Sequence, residues 1–249
     1  MSFSRLVPLL LVLAAPLPAA AQFHAGLAPR DGAAHEGWNG RGELGFAMAK
    51  GNSDSQTFIG KLDFGYSDKR SKYAFGASTQ YGKNAGEESA RRYEVHGAAG
   101  FRFDERSYLY GSLRHARDAF ASYEYQWTAA AGYGVDALRG EDQQLSLEIG
   151  PGYRLAKDQG LRVHHDEAIA RALADWRFKL TDTTSLVNTL LVESGGETTF
   201  ARNVFGVRVA VSESLAMKAG LETRYNSRVD DGLHNTDNLT TVNLVYDFR

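Results

Sequence analysis

The chain has 249 residues, no cysteine, 28 lysines and arginines, and 30 aspartates and glutamates. The lack of cysteine excludes a disulfide framework, a thiolate metal site and cysteine nucleophilic chemistry. The formal charge of −2 gives no electrostatic reason to expect nucleic acid as a partner, and a mean hydropathy of −0.37 argues against a helical membrane protein.

Residues 1–21 have the pattern of a secretory signal peptide. A positive charge at Arg5 precedes an apolar run, and small residues for cleavage end at Ala21. The apolar run is too short to span a bilayer core of about 30 Å. We therefore expect Sec export with cleavage near Ala21, a flexible segment at residues 22–37, and a single domain at residues 38–249.

From Trp38 onward, apolar and aromatic residues alternate with polar ones, and this period of two predicts β-strands. The apolar face of the fifth and ninth strands is undecided, because their sequences alternate less clearly. In chain order the twelve predicted strands are Trp38–Ala49, Gln56–Ser67, Lys72–Gly82, Arg92–Phe103, Ser107–His115, Tyr123–Val135, Gln144–Leu155, Glu167–Phe178, Thr184–Glu193, Arg202–Val211, Leu215–Asn226 and Thr241–Phe248.

The connections between these strands alternate in length. The compact set is Asp68–Ser71, Asp104–Arg106, Thr181–Thr183 and Ser212–Ser214. The longer set is Gly82–Ser89, Ala116–Ser122, Ala156–Val163 and Ser227–Asp237, while Asp136–Asp142 is long for a turn and Gly195–Glu197 short for a loop. Short periplasmic turns and longer outer loops are typical of outer-membrane barrels.

These features favour a barrel over a soluble β-sandwich, which also alternates. Strands of about 10–13 residues approach the length that crosses a tilted barrel wall, and tyrosines near strand ends suit two membrane interfaces. After residue 29 the only proline is Pro151, which suits continuous strand ladders. The sequence predicts an all-β, 12-stranded antiparallel transmembrane β-barrel with its N and C termini in the periplasm.

Charged residues on the face opposite the aromatic one are predicted to line the lumen, because each arginine or lysine facing mid-membrane lipid would cost about 2–4 kcal/mol. They make either a narrow polar pore or a plug of mutual ion pairs. The lumen-lining candidates are Arg41, Glu43, Lys61, Asp63, Arg92, Glu94, Arg102, Glu148, Arg154, Arg171, Asp175, Arg177, Arg208, Lys218, Glu222 and Arg224.

The histidines give no clear catalytic or metal motif. His164 and His165 are adjacent, so on a strand they point to opposite faces and only a loop would let them converge on one ion. Asp230, Asp231 and Asp237 lack the spacing of a twelve-residue calcium loop. We expect no catalytic residue, cofactor or metal, and we expect His96 to be an interior polar residue.

Several motifs occur in one order along the chain: Trp38-Asn39-Gly40, Leu44-Gly45, Gly51-Asn52-Ser53, Tyr123–Trp127, Gly132-Tyr133-Gly134 and Gly150–Arg154. From Trp38 to Phe248 the chain resembles a proteobacterial family of salt-induced outer-membrane proteins, domain of unknown function 481. The resemblance implies an outer-membrane β-barrel of unknown biochemical role, with a link to salt or envelope stress, and supplies no catalytic residues.

The expected function is that of a structural protein or a narrow pore for small solutes and ions in the bacterial outer membrane, and not an enzyme. The alternatives are a barrel hydrolase acting on lipid and a closed adhesive or binding barrel. The expected partners are outer-membrane lipid, lipopolysaccharide and the outer-membrane assembly machinery, with a monomer favoured and no nucleic acid.

Overall fold

The computed structural model describes residues 37–49, 55–159, 163–229 and 234–248. The predicted signal peptide, nearly all of the segment 22–37 and the pair Asp230-Asp231 lie outside the described residues. The described chain forms twelve strands: β1 Gly37–Ala49, β2 Ser55–Ser67, β3 Ser71–Asn84, β4 Glu87–Arg102, β5 Ser107–Asp118, β6 Tyr123–Arg139, β7 Gln143–Asp158, β8 His164–Lys179, β9 Thr184–Gly195, β10 Thr199–Ala210, β11 Leu215–Asn226 and β12 Thr236–Phe248.

Each strand pairs antiparallel with its sequence neighbours, and β1 pairs with β12, so the sheet closes on itself. The pairing of β1 with β12 closes the ring, which suits hydrocarbon because it offers no partner for a free N–H or C=O group. The β1–β12 seam is short: it runs from Gly40 opposite Phe248 to Gly45 opposite Asn243. The neighbouring β1–β2 ladder extends over all of β1. The predicted all-β, 12-stranded antiparallel barrel is confirmed.

Several predicted connections are wrong in length because the strands run further than the hydrophobic alternation. The segment Gly82–Ser89, predicted as a long loop, is a hairpin whose turn consists of Ala85 and Gly86. Both turn residues have positive φ, 50° and 85°, which suits a two-residue hairpin turn. Similarly, β5 continues to Asp118, β6 to Arg139 and β7 to Asp158, so their polar ends are strand and not loop.

The barrel wall is apolar outside and charged inside, the reverse of a water-soluble protein. Large hydrophobic side chains are exposed on the outer face, for example Ile149 at 64% and Leu44 at 60%. Charged side chains on the opposite face are buried, for example Glu94 at 1% and Arg202 at 1%. Lipid around the wall would cover the exposed apolar side chains, so this arrangement suits a membrane and not water.

Two turns at one end of the barrel, between β2 and β3 and between β4 and β5, share one stabilising device. The carboxylate of Asp68 accepts hydrogen bonds from the backbone N–H groups of Arg70 and Ser71, both at 2.6 Å. Asp104 does the same for Arg106 and Ser107. These donated hydrogen bonds lower the pKa of Asp68 below its ordinary value of 3.8. This end of the barrel is called the turn end, and the opposite end the loop end.

Gly37 and Phe248 both lie at the turn end, since Gly37 is opposite Ser67 and Phe248 is opposite Gly40. Which end faces the periplasm stays a prediction. Among the described residues, no helix is long and apolar enough to cross a membrane.

Candidate functional site in the lumen

The lumen is filled by the polar face of every strand. Twelve of the sixteen candidate residues are buried: Glu43, Lys61, Asp63, Arg92, Glu94, Arg102, Glu148, Arg154, Arg171, Lys218, Glu222 and Arg224. The other four, Arg41, Asp175, Arg177 and Arg208, are partly buried at inward positions nearer the turn end. All sixteen candidates therefore lie at inward positions of their strands.

The central contact of the lumen joins opposite walls. Arg202 on β10 lies six strands from Glu94 on β4 in either direction around the ring, and its Nη1 is 3.3 Å from Glu94 Oε1. Arg92 Nη2 lies 3.3 Å and Arg114 Nη1 3.8 Å from the other oxygen of Glu94. Three guanidinium groups thus surround one buried carboxylate across the full width of the barrel.

A second chain of ion pairs continues toward the loop end. Arg114 on β5 donates to Glu193 on β9 at 2.5 Å, again across the lumen. Arg154 on β7 lies 3.6 Å from the same carboxylate oxygen and 3.0 Å from Glu167 on β8. Arg154 also donates to the backbone carbonyl of Thr198 in the β9–β10 connection. The network therefore ties the wall to the rim of the loop end.

Two further clusters lie between neighbouring and near-neighbouring strands. Asp136 accepts from Lys72 Nζ at 2.8 and 3.0 Å, and lies 3.2 Å from Arg102. Ser146 also donates to Asp136 at 2.8 Å. Glu148 accepts from Arg171 at 2.8 Å and from the hydroxyl of Tyr108 at 3.2 Å, and the Lys72 ammonium lies 4.1 Å from the centre of the Tyr108 ring.

Ion pairs also bridge the strands on either side of the β1–β12 seam. Glu43 on β1 accepts from Lys218 on β11 at 2.7 and 2.8 Å, and Lys61 lies 3.6 Å from Glu43. Arg41 donates to Asp247 on β12 at 2.6 Å, and Arg208 on β10 contacts the same carboxylate. These contacts link β1 to the last three strands from inside the barrel.

This packing closes the lumen at the level of Glu94. The side chains that are less than 2% exposed include Arg202, Glu94, Glu193 and Glu222, so water reaches almost none of their surface. Space opens at the loop end, where two adjoining cavities of about 110 and 290 Å³ share Tyr123 and Phe200 in their walls. The barrel is closed at mid-height and open as a shallow vestibule above it.

The family model described as "Protein of unknown function, DUF481" matches residues 42–248. The chain belongs to this family. The family resemblance drawn from the sequence motifs is thereby confirmed. A search of curated proteins finds no match to this DUF481 protein.

Solved structures with a similar fold are outer-membrane barrels. The translocator domain of autotransporter NalP from Neisseria meningitidis has a TM-score of 0.53 and 13% identity, with 86% of this chain and 89% of that one covered. The COG4313 outer membrane channel from Pseudomonas putida F1 also has a TM-score of 0.53, with 10% identity and coverage of 88% and 98%. At this level of identity the likeness concerns the fold, so this DUF481 protein has the fold of outer-membrane barrels.

Sequence reasoning missed several residues of the ion-pair network of this DUF481 protein. Arg114 and Glu193 lie on β5 and β9, the two strands whose faces the alternation leaves undecided. Lys72 and Arg202 lie on clearly polar faces, so the alternation itself carried the signal for them. Asp136 falls in a predicted connection, whereas β6 extends to Arg139 and carries it into the lumen.

The two adjacent histidines lie at the start of β8, at the loop end. His164 and His165 lie on β8 and so point to opposite faces. His165 contacts Asp158 at 2.9 Å and Glu197 at 3.5 Å at the loop end. Within the described ranges, no group of three histidine, aspartate or glutamate residues is placed to hold a metal ion. His96 is 5% exposed on the inner face, as expected of an interior polar residue.

Proposed function

We propose that this protein is an outer-membrane β-barrel whose lumen is closed by buried ion pairs, and that small ions pass only when the central pair parts. The observation that carries the proposal is the contact between Arg202 and Glu94, which joins opposite walls at 3.3 Å with both side chains 1% exposed. The loop end faces outward and both termini face the periplasm in this proposal, with lipid and lipopolysaccharide around the wall.

A closed state of this kind is stable because its charges are paired. A buried ion pair roughly offsets the cost of removing its charges from water only when each charge keeps its partners. Glu94 has three cationic partners and Glu193 has two. Parting of the Arg202 contact therefore leaves Glu94 with Arg92 and Arg114, so the central pair can open without stranding its carboxylate.

The proposed closure makes a prediction for conductance in planar lipid bilayers. Wild-type protein is expected to stay closed for most of the recording, with brief openings of small conductance. Arg202→Ala removes the side chain that crosses the lumen while Glu94 keeps its other partners. This variant is therefore expected to show frequent and longer openings.

Arg228→Ala is the matched control, because Arg228 is 62% exposed at the loop end and pairs with Glu197 outside the central layer. A wild-type barrel with a stable large conductance would contradict the closure. Arg202→Ala recordings as silent as wild type would contradict the role of the central pair and favour a closed binding barrel. The role in salt or envelope stress implied by the family resemblance stays a prediction.

A further inference from the structure

Basic side chains stand in a row on the outer wall of the barrel at the loop end. Arg91 on β4 lies opposite Tyr81 on β3, and Arg117 on β5 lies opposite Tyr93 on β4. The row continues onto β7, where Lys157 pairs with Tyr125 of β6, the residue that also lies opposite Arg117. Residues directly opposite each other share one face of a sheet, so cations alternate with aromatic rings around this part of the rim.

Each of these cations lies at or just above the predicted membrane interface. Tyrosine rings mark the headgroup level of a barrel. Arg91 lies two residues from Tyr93 on β4, on the side toward the loop end. Lys83 on β3, which also faces outward, lies two residues from Tyr81 in the same direction. Two strand residues span about 7 Å. The basic groups therefore reach the depth at which lipid phosphates lie.

A cleft lies between two of the basic residues. It has a volume of about 450 Å³ and is lined in part by Arg91, Tyr93 and Arg117. The side chains of Arg91 and Arg117 are 51% and 61% exposed, so their guanidinium groups are accessible from outside the barrel. The cleft thus combines two accessible fork-shaped donors and an aromatic wall with the carboxylates of Asp118 and Glu124.

Carboxylates near the row only partly neutralise it. Glu88 lies 3.4 Å from Arg91, while Glu124 serves both Arg117, at 3.1 Å, and Lys157. One carboxylate shared by two cations leaves positive charge in excess. A guanidinium group has five N–H donors, so an exposed pair to one carboxylate leaves donors for a second anion.

Among the described strand positions, the row lies on β3–β7. At the loop end of β9–β12, the outward positions among the described residues carry hydroxyl and aromatic side chains, such as Ser194, Thr199 and Tyr225. Ser194 and Thr199 hydrogen bond to each other at 2.9 Å. Contact of the rim with water does not explain the basic row, because hydroxyl side chains serve that purpose on the other side of the barrel.

From these observations we infer that the outer wall of β3–β7 binds the phosphate groups of a phosphorylated glycolipid in the outer leaflet, with Arg91 and Arg117 as the main donors. Arginine suits this ligand because its planar fork donates two parallel hydrogen bonds to phosphate oxygens. Lys83 and Lys157 add charge at the two ends of the row. The inference rests on the proposed placement of the loop end in the outer leaflet.

The test uses the full chain folded in detergent micelles and titrated with bis-phosphorylated lipid A. The midpoint of thermal unfolding, followed by the loss of the fast-migrating band on an unboiled gel, is expected to rise and then saturate, because a ligand of the folded state stabilises it. The double variant Arg91→Gln/Arg117→Gln is expected to bind at least about tenfold more weakly, since it loses charge-assisted hydrogen bonds.

The matched control is Arg139→Gln/Lys179→Gln, which removes two exposed cations at the turn end and is expected to bind lipid A like wild type. Equal stabilisation by lipid A without its phosphates would overturn the inference, as would equal affinity of the two double variants. This titration does not depend on conductance. The proposed closure of the lumen and the proposed lipid site can therefore be refuted independently of each other.

Discussion

Asp136 offers the sharpest test of how the lumen is held together. Its carboxylate is 3% exposed and contacts Lys72 at 2.8 Å and Arg102 at 3.2 Å, with a hydrogen bond from Ser146 at 2.8 Å. Asp136→Asn keeps the size of the side chain but removes its charge. Two buried cations then lose their shared counter-charge inside the barrel.

The expected cost follows from the burial of all three groups. Lys72 is 2% exposed, Arg102 6% and Asp136 3%, so solvent cannot replace the lost charge. Removal of one partner of a buried ion pair typically destabilises a protein by about 3–5 kcal/mol. The free energy of unfolding of Asp136→Asn is therefore expected to fall by about that amount.

The assay is equilibrium unfolding by urea in lipid vesicles, followed by tryptophan fluorescence. Asp182→Asn is the control, because its pair with Lys179 at the turn end has a 96% exposed carboxylate, and it is expected to unfold like wild type. Lys72→Gln in the Asp136→Asn background is expected to recover part of the loss, since one stranded cation is removed. An Asp136→Asn midpoint equal to that of wild type would refute the reasoning.

Three further expectations concern the wall and the turns. Ile149→Arg puts a charge on an outward position that is 64% exposed, and the urea midpoint should fall by the equivalent of about 2–4 kcal/mol if that position faces the bilayer core; an unchanged midpoint would contradict lipid contact there. Gly134→Ala would place its Cβ 2.3 Å from the Tyr108 ring, whereas a Cβ at Gly111 would have nothing within 4 Å. The free energy of unfolding should therefore fall by about 1–3 kcal/mol for Gly134→Ala and stay unchanged for the control Gly111→Ala. The Asp68 turn contributes stability above the ordinary pKa of 3.8, and this contribution is lost as pH falls through the lower pKa of the folded state. The urea midpoint of Asp68→Asn should therefore fall less steeply than that of wild type below about pH 4. An equally steep fall would contradict the role of this carboxylate.

The twelve strands follow from the sequence because lipid outside and polar groups inside impose a strict period of two. The period fails where the lumen itself is apolar or aromatic. On β5, Tyr108 is 0% and Tyr110 4% exposed, both facing inward. On β9, Leu191 packs inside against Leu173 and Phe200. An inward aromatic residue cannot be distinguished from an outward one by its polarity alone.

The ion-pair partners depend on the closed barrel and not on local sequence. The alternation places Glu94 on an inner face, but its contact with Arg202 requires the curvature of the whole ring. The lengths of the connections were wrong for a related reason. Polar residues such as Lys83 continue a strand when its backbone keeps pairing with a neighbour, and backbone pairing leaves no mark on side-chain polarity.

The short seam between β1 and β12 bears on the order in which the barrel forms. Its residues are separated by almost the whole chain, so their meeting carries the largest loop-closure entropy in the molecule. The seam has six residue pairs, from Gly40–Phe248 to Gly45–Asn243, so few backbone hydrogen bonds offset this entropy. The contacts of Glu43 with Lys218 and of Arg41 with Asp247 add ties that form only once the ends meet. Closure of the ring is therefore expected to be the slow step of folding, and the seam is expected to be the first part of the wall to open on unfolding.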